Sequence, residues 1–391
     1  MQEQLTPAAS LPADGTAGTL VGRAWVPGAV PGPSPVAIRE AGVFDLSRSA
    51  PTMAELLDSD DPVALARGRG ERIGDLAPIL ADSAYDRRDP GRPYFLAPCD
   101  LQAIKASGVT FATSLLERVI EEQARGDVAR ADAIRRTISE VIGTDLSQIR
   151  PGSEAAMRLK EHLIAERAWS QYLEVGIGPD AEIFTKCPPM AAVGTGSEIG
   201  VLASSSWNNP EPELVVAANS RGAIVAATLG NDVNLRDVEG RSALLLGKAK
   251  DNNASCAIGP FLRLLDDGFG LDELRRARIT LRVLGEDGFV LEGTSSMAEI
   301  SRDIADLVGQ TIGANHQYPD GLMLFAGTMF APIQDRDQPG SGFTHRPGDL
   351  VLIACPELGR LVNRVEHCDR IAPWTFGASA LLRNLAARGL L

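Results

Sequence analysis

No stretch of this chain of 391 residues approaches the roughly eighteen uninterrupted apolar residues of a membrane-spanning helix, so no membrane partner is expected. Basic residues are in deficit. Lys and Arg number 38 against 51 Asp and Glu, a formal charge of −13, which argues against a general binder of phosphate backbones, and no nucleic acid is expected as a partner. The opening MQEQLTPAASLPADG has acidic residues and no basic n-region, so it does not read as a secretory signal. Cysteine is sparse. Cys99, Cys187, Cys256, Cys355 and Cys368 are widely spaced with no C-x-x-C, which points to buried reduced thiols, no disulfide framework and a cytoplasmic setting. The four histidines, His162, His316, His345 and His367, show no zinc-site spacing. G-x-G-x-x-G and Walker patterns are missing, so no nucleotide cofactor is expected, and without G-x-S-x-G a serine-hydrolase triad has no support.

What is present is ordinary for a folded protein: 44% hydrophobic and 23% charged residues, in a chain longer than one average domain. The segment Arg87 to Pro98, with three prolines and a glycine, is the strongest boundary. It predicts a small N-terminal α/β domain over 1–95, beginning with a loose tail of about 18 residues, and a main domain over 96–391. Helical periodicity runs through Leu115, Leu116, Val119 and Ile120, and recurs through Ile134, Ile138, Val141 and Ile142 and from Ser153 to Trp169. Beyond Trp169, strand-like runs separated by turns dominate. Ile279–Leu284 and Phe289–Glu292 form a hairpin pattern about Asp287-Gly288, and Ser296-Met297-Ala298-Glu299 is a capping box predicting a helix through Ile304 and Val308. Many short strands with few crossover helices predict an α+β architecture around a mixed, mainly β core.

The densest polar stretch is Gly230 to Pro260, which sets three Asp, two Arg, two Lys and one Glu between apolar anchors and closes on Gly259-Pro260 as a turn signal. Upstream, Glu211-Pro212-Glu213 leads into the strand-like run Leu214 to Ala218. If the strand starts at Glu211, both carboxylates leave one face with Cα atoms roughly 6.5 to 7 Å apart. Pro212, lacking an N–H, is restricted to a strand's first residue or an edge. Asp232 follows a second apolar run, Ala223 to Leu229. Three carboxylates with no His or Cys between them are hard ligands suited to Mg²⁺, or to Mn²⁺ or Ca²⁺ as substitutes. Spacing alone leaves open that the E-x-E pair is only a strand's solvated face.

Glu211-Pro212-Glu213-Leu214, Gly230-Asn231-Asp232-Val233-Asn234-Leu235-Arg236-Asp237, and Lys250 with Ser255-Cys256-Ala257-Ile258-Gly259-Pro260 resemble the signature of the fumarylacetoacetate hydrolase family. Phe325-Ala326-Gly327-Thr328, Pro347-Gly348-Asp349 and Leu358-Gly359-Arg360-Leu361-Val362-Asn363 continue the likeness in the family's order, from about Leu96 to the C-terminus. The resemblance implies the family's mixed β-sandwich roll, a homodimer or dimer of dimers, and Mg²⁺ on Glu211, Glu213 and Asp232. Within the family the chain is most similar to the branch that dehydrates 2-keto-3-deoxy pentonates. That implies a 2-oxo sugar acid as substrate, loss of the C4 hydroxyl through a metal-stabilised enolate, and 2,5-dioxopentanoate as product.

The same resemblance assigns Lys250 as an active-site base or enolate partner, with Lys248 as the competing choice, and Arg236, Thr328, Lys186 and Ser114 as substrate contacts. Glu239 stands where the hydrolytic type carries Gln and is a candidate for protonating the leaving hydroxyl. Gly108 to Glu117 occupies the place of the family's lid, and Ser114 and Glu117 match the positions where hydrolytic members carry a His and a Glu. A Ser alone is no useful base near neutral pH, so Glu117 is left as a lone acid or base and hydrolysis of an acylpyruvate or other diketo acid becomes the second choice.

Overall fold

The computed structural model describes residues 1–391 except 109, 126, 128–129, 131–148, 166–168, 329, 331, 333 and 339–341; for 112–114, 116 and 121 it describes the backbone alone. The chain runs through β1 (Leu20–Val26), β2 (Gly32–Arg39), β3 (Gly42–Asp45), β4 (Glu71–Gly74), β5 (Tyr94–Leu96), β6 (Ala103–Ser107) and β7 (Ile183–Cys187), with a helix Ala112–Ala124 between the last two. It continues through β8 (Glu198–Val201), β9 (Asn208–Asn209), β10 (Pro212–Ala218), β11 (Ile224–Asp232), β12 (Asn234–Leu235) and β13 (Cys256–Leu264). The last strands are β14 (Arg278–Leu284), β15 (Val290–Ser296), β16 (Leu322–Phe325), β17 (Leu350–Cys355) and β18 (Gly359–His367), before a helix Ala378–Ala387.

The large sheet has the order β4-β3-β2-β1-β13-β11-β10-β16-β6-β7, with β5 also on β1, and a second sheet has the order β15-β14-β17-β18-β8. This is the α+β class that the strand-rich pattern predicts. Strand β10 lies between two packed layers. Leu214, Val216 and Ala218 belong to one apolar cluster with Leu281, Ile353 and Leu361 of the second sheet, while Val215 and Ala217 belong to another with Met53, Leu56 and Leu57. Both faces are therefore covered, which is why the run Leu214–Ala218 shows no polar alternation. Strand β14, with one face open, alternates exposed and buried residues.

Several local expectations change under tertiary packing. The first 95 residues place β1 to β5 in the large sheet, Leu20 opposite Arg263 and Val21 opposite Leu262. The expected loose tail is packed: Leu5 and Ser10 are buried, Leu5 in a cluster with Val36 and Ile38. Gly259-Pro260, expected to close a turn, lies inside β13. The β11 ladder jumps there from Ala227↔Arg263 to Leu229↔Gly259, and a residue without an N–H is tolerated at such an interruption. The capping signal at Ser296 caps only the single turn Met297–Glu299, through an N–H donated by Ala298 at 3.2 Å. Ile300 is extended, and the helix Ile304–Thr311 starts afresh on Asp303, which accepts from the Ala305 N–H. All five cysteines are free thiols, Cys368 being the one not fully buried. Among the described residues no helix is long and apolar enough to cross a membrane.

Candidate active site

Antiparallel pairing of β10 with β11 assembles the acidic centre. Pro212 lies opposite Asn231 and Glu213 opposite Gly230, and the Asp232 N–H donates to the Glu211 carbonyl at 3.0 Å, so Glu211 and Asp232 meet across the ladder. Pro212 is the first residue of its strand, where its missing N–H costs nothing. Gly230 is forced to be small, since a Cβ there would lie 2.3 Å from the Phe325 ring. One carboxylate oxygen from each of Glu211, Glu213 and Asp232 lies within 4.8 Å of the others, and the three residues are only 1–2% exposed. Like charges this close and this dry require a counter-charge.

Part of it is already there. The Lys250 ammonium bonds Glu211 and lies 2.9 Å from Asp232 Oδ2. Lys250 ends the short helix Leu246–Lys250 with its side chain buried, whereas Lys248, two residues earlier, is exposed; the geometry favours Lys250 of the two. Lys186, 2.8 Å from Asp232 Oδ1, also donates to the Val233 carbonyl at 3.0 Å and to the Lys250 carbonyl. Two hydrogen bonds and an ion pair thus tie Lys186 to the Val233 and Lys250 backbone and to Asp232, so the structure places it as a support beneath Asp232. Lys186 sits on β7, the sheet edge, four strands from β11. In a flat sheet that is about 19 Å, far beyond a lysine's reach, so the sheet must coil back on itself.

The helix Ala112–Ala124 supplies the other side of the centre. Its Arg118, which sequence reasoning passed over, bonds Glu211 and lies 3.1 Å from Glu239 Oε2. Glu117, one residue earlier, is 3.3 Å from the Arg236 guanidinium, which stacks over the Trp207 ring at 4.6 Å and donates to the Pro332 carbonyl at 3.3 Å. Arg236 and Glu117 thus form a pair beside the centre. The side chain of Ser114 lies outside the described residues. Thr328 lines the small cavity over Glu211, Asp232, Glu239 and Lys250, and the Gly327 N–H donates to Glu213 Oε2 at 2.8 Å.

Glu182, just before β7, lines the same cavity, and nothing in the sequence marked it. Its carboxylate packs on Gly108, where a Cβ would clash at 1.8 Å from Glu182 Oε2. Burial, reinforced by Glu239, raises the Glu182 carboxyl to about 7. Burial, then Asp232 and Glu211, pushes Glu213 well above the carboxylate range. Burial works against the charge on Asp232, but Lys186 and Lys250 hold it below its ordinary range. For Lys250 burial favours the neutral amine, yet Asp232, Glu211 and Glu239 together push it above the usual lysine range, so it is an ammonium.

A family model described as the fumarylacetoacetate hydrolase C-terminal domain matches residues 153–366, over half of the chain and including the triad and both buried lysines. The chain belongs to the fumarylacetoacetate hydrolase family. Among curated relatives in this family, a 2-dehydro-3-deoxy-D-arabinonate dehydratase of Saccharolobus solfataricus is 32% identical over 193 residues, spanning 49% of this chain and 60% of that protein. A protein of Haloferax volcanii, described as a probable 2-keto-3-deoxyxylonate dehydratase, is 27% identical over 84% of this chain and 94% of its own length. Among solved structures, a crystal form of 2-keto-3-deoxyarabinonate dehydratase superposes with a TM-score of 0.63 at 22% identity, over 90% of this chain and all of that one. A 2-keto-3-deoxy-D-arabinonate dehydratase complexed with magnesium and 2,5-dioxopentanoate gives a TM-score of 0.60 over the same shares, also at 22% identity. These neighbours share the fumarylacetoacetate hydrolase fold seen here.

Proposed function

We propose that this protein is a Mg²⁺-dependent hydro-lyase that removes water from a 2-keto-3-deoxy pentonate to give 2,5-dioxopentanoate. The observation that carries the reading is the buried cluster of Glu211, Glu213 and Asp232 with Lys250 set into it. The named activities of the Saccharolobus and Haloferax relatives support the substrate class. A homodimer or dimer of dimers in the cytoplasm is the matching expectation for assembly and location.

The residues fit a hard divalent ion. All three donors are carboxylates, they converge, and an ammonium already lies between two of them, where positive charge is needed. Glu211, Glu213 and Asp232 would hold Mg²⁺, with Mn²⁺ or Ca²⁺ as substitutes. Bound there, the ion supplies Lewis acidity toward the carboxylate and 2-keto oxygen of a 2-oxo acid.

The chain's own groups supply the proton traffic and the grip. Lys250, held as an ammonium, offers charge and N–H donors to the oxygen on which charge develops as a C3 proton leaves. Glu182, poised near neutrality, is the carboxyl on the cavity wall that can deliver a proton to the departing C4 hydroxyl, and Glu239, ion-paired with Arg118 on the same wall, is the group that can take the C3 proton. Arg236, fixed by Glu117 and Trp207, offers a planar fork to the substrate carboxylate, and Thr328 a hydroxyl. Loss of the C3 proton and C4 hydroxyl leaves a 3,4-alkene. Moving a proton from C5 to C3 then gives the 4,5-enol, whose hydroxyl proton passes to C4 to give the C5 aldehyde, so the balance is one water lost.

The direct test is a panel of 2-keto-3-deoxy sugar acids with Mg²⁺ and then with EDTA. Turnover of a pentonate to 2,5-dioxopentanoate, stopped by EDTA, is the expected result. Pyruvate release from an acylpyruvate with no dehydration would instead establish the hydrolase of the same fold.

Stability carries a separate signature. Carboxyls raised in the folded state, Glu182 and Glu213, bind protons there that the unfolded chain has lost above about pH 4.5. In EDTA the Glu182 contribution is full in acid and is lost as pH climbs from about 4.5 through about 7, the raised Glu213 carboxyl acts in the same direction, and Asp232 titrates below that window. The Tm in EDTA is therefore expected to fall between about pH 5 and 7, and the Tm gain on adding Mg²⁺ to be larger at about pH 7 than at about pH 5. Equal gains at both pH values would contradict this account of the raised carboxyls.

A further inference from the structure

A cleft of about 450 Å³ lies apart from the acidic centre and shares no lining residue with it. One wall is aromatic. Trp25 stacks on Tyr94 with ring centroids 6.2 Å apart and planes within 10°, and Phe376 meets Trp25 edge-on at 6.1 Å. Trp374, from the same C-terminal segment, also lines the cleft and is left 46% exposed. A volume of this size suits a small organic molecule.

Arg23 lines the cleft and is only 5% exposed. Its guanidinium donates to the Cys99 carbonyl at 3.0 Å and to Met190 Sδ, a weak acceptor, at 3.6 Å. Among the described residues no carboxylate is in ion-pair contact with it: the buried carboxylate that acts on it at longer range, Asp100, accepts from the Met53 and Ala54 N–H groups, and a guanidinium carries five donors. Arg88 adds a second positive group, over the Tyr94 ring at 5.4 Å. The carboxylate lining the cleft, Glu198, is paired with Arg364 at 3.1 Å, and among the described residues it is in ion-pair contact with neither Arg23 nor Arg88.

Backbone strain gathers here as well. Of the three non-glycine residues with left-handed backbone among the described residues, two, Met190 (φ 70°) and Ala254 (φ 58°), line this cleft. Such conformations persist where the surroundings enforce them and concentrate at ligand clamps. The polar partners that a sugar would need are already engaged: Ser197 accepts from Arg88 at 2.6 Å, and the Asn253 amide donates to the Cys368 and Ala372 carbonyls at 3.2 and 3.3 Å.

We propose that this cleft binds a planar aromatic carboxylate, with the carboxylate on Arg23 and the ring against Trp25, Phe376 and Trp374. The test is calorimetric titration of the full chain with 2-naphthoate, with 2-naphthalenemethanol as the uncharged match and D-xylonate as the sugar-acid arm, all in EDTA. The chelator keeps the acidic centre out of the measurement, so the result stands apart from the dehydratase reading. One saturable site for naphthoate is expected, with the alcohol at least about tenfold weaker and with Arg23→Gln and Trp374→Ala each weakening naphthoate by about tenfold. Trp374 is half exposed, so its removal decides the matter even where Arg23→Gln fails to fold. No saturable binding, equal affinity for the alcohol, tighter binding of xylonate, or unchanged affinity in Trp374→Ala each overturns the proposal.

Discussion

Glu213→Gln is expected to lower kcat/KM with Mg²⁺ by about a thousandfold, the equivalent of about 4 kcal/mol of transition-state stabilisation. The substitution keeps the shape of the side chain and removes one of the three charges that would hold the ion. The fold should survive it. Glu213 is 1% exposed, and its carboxyl already favours the protonated, uncharged form, so a neutral amide of the same size is well suited to the position. The Gly327 N–H, 2.8 Å from Glu213 Oε2, can still donate to the amide oxygen. Circular dichroism should therefore match the parent, while the Mg²⁺-induced rise in Tm largely disappears. Dehydration that continues at the parental rate in this variant, or in the parent after exhaustive chelation, would remove the metal from the account.

Lys250→Met should show two losses at once. Its ammonium touches both Glu211 and Asp232, so the variant removes one of two cationic partners from each buried carboxylate, leaving Arg118 on Glu211 and Lys186 on Asp232, and breaking such a contact costs about 3–5 kcal/mol. In EDTA the variant should melt well below the parent, and added Mg²⁺ should recover much of the difference by replacing the missing charge. Turnover should stay about a thousandfold down even at saturating Mg²⁺, because the donor proposed for the developing oxyanion is gone. Lys248→Met is the internal control: Lys248 is exposed, and neither stability nor rate should move measurably. Equal losses in the two variants would mean that the short helix Leu246–Lys250 matters as a whole and that Lys250 has no special place.

Legibility in the sequence followed distance along the chain. Glu211, Glu213 and Asp232 could be nominated because they lie on neighbouring strands joined by one short connection. Strand periodicity and a proline at a strand start are local signals, and antiparallel pairing turns them into proximity. Lys250 was readable on the same stretch, although the choice against Lys248 needed the helix Leu246–Lys250 to show which side chain faces inward. Arg118 was hidden because a charged residue on an amphipathic helix reads as its solvated face; only docking of that helix against Glu211 and Glu239 gives it a role. Glu182 carried no pattern at all, being a single acid in a connection.

The sequence by itself determined the α+β class, the acidic triad as the candidate site for a hard cation, and the family, since each rests on residue type and short spacing. Tertiary structure alone decided that Lys186 supports Asp232, that Arg118 and Glu182 join the centre, and that the first residues are anchored through Leu5 and Ser10. The reason is geometric: backbone pairing fixes what lies across one ladder, but contacts four strands away depend on how far the sheet coils and on which helix closes the gap, and no local propensity encodes either.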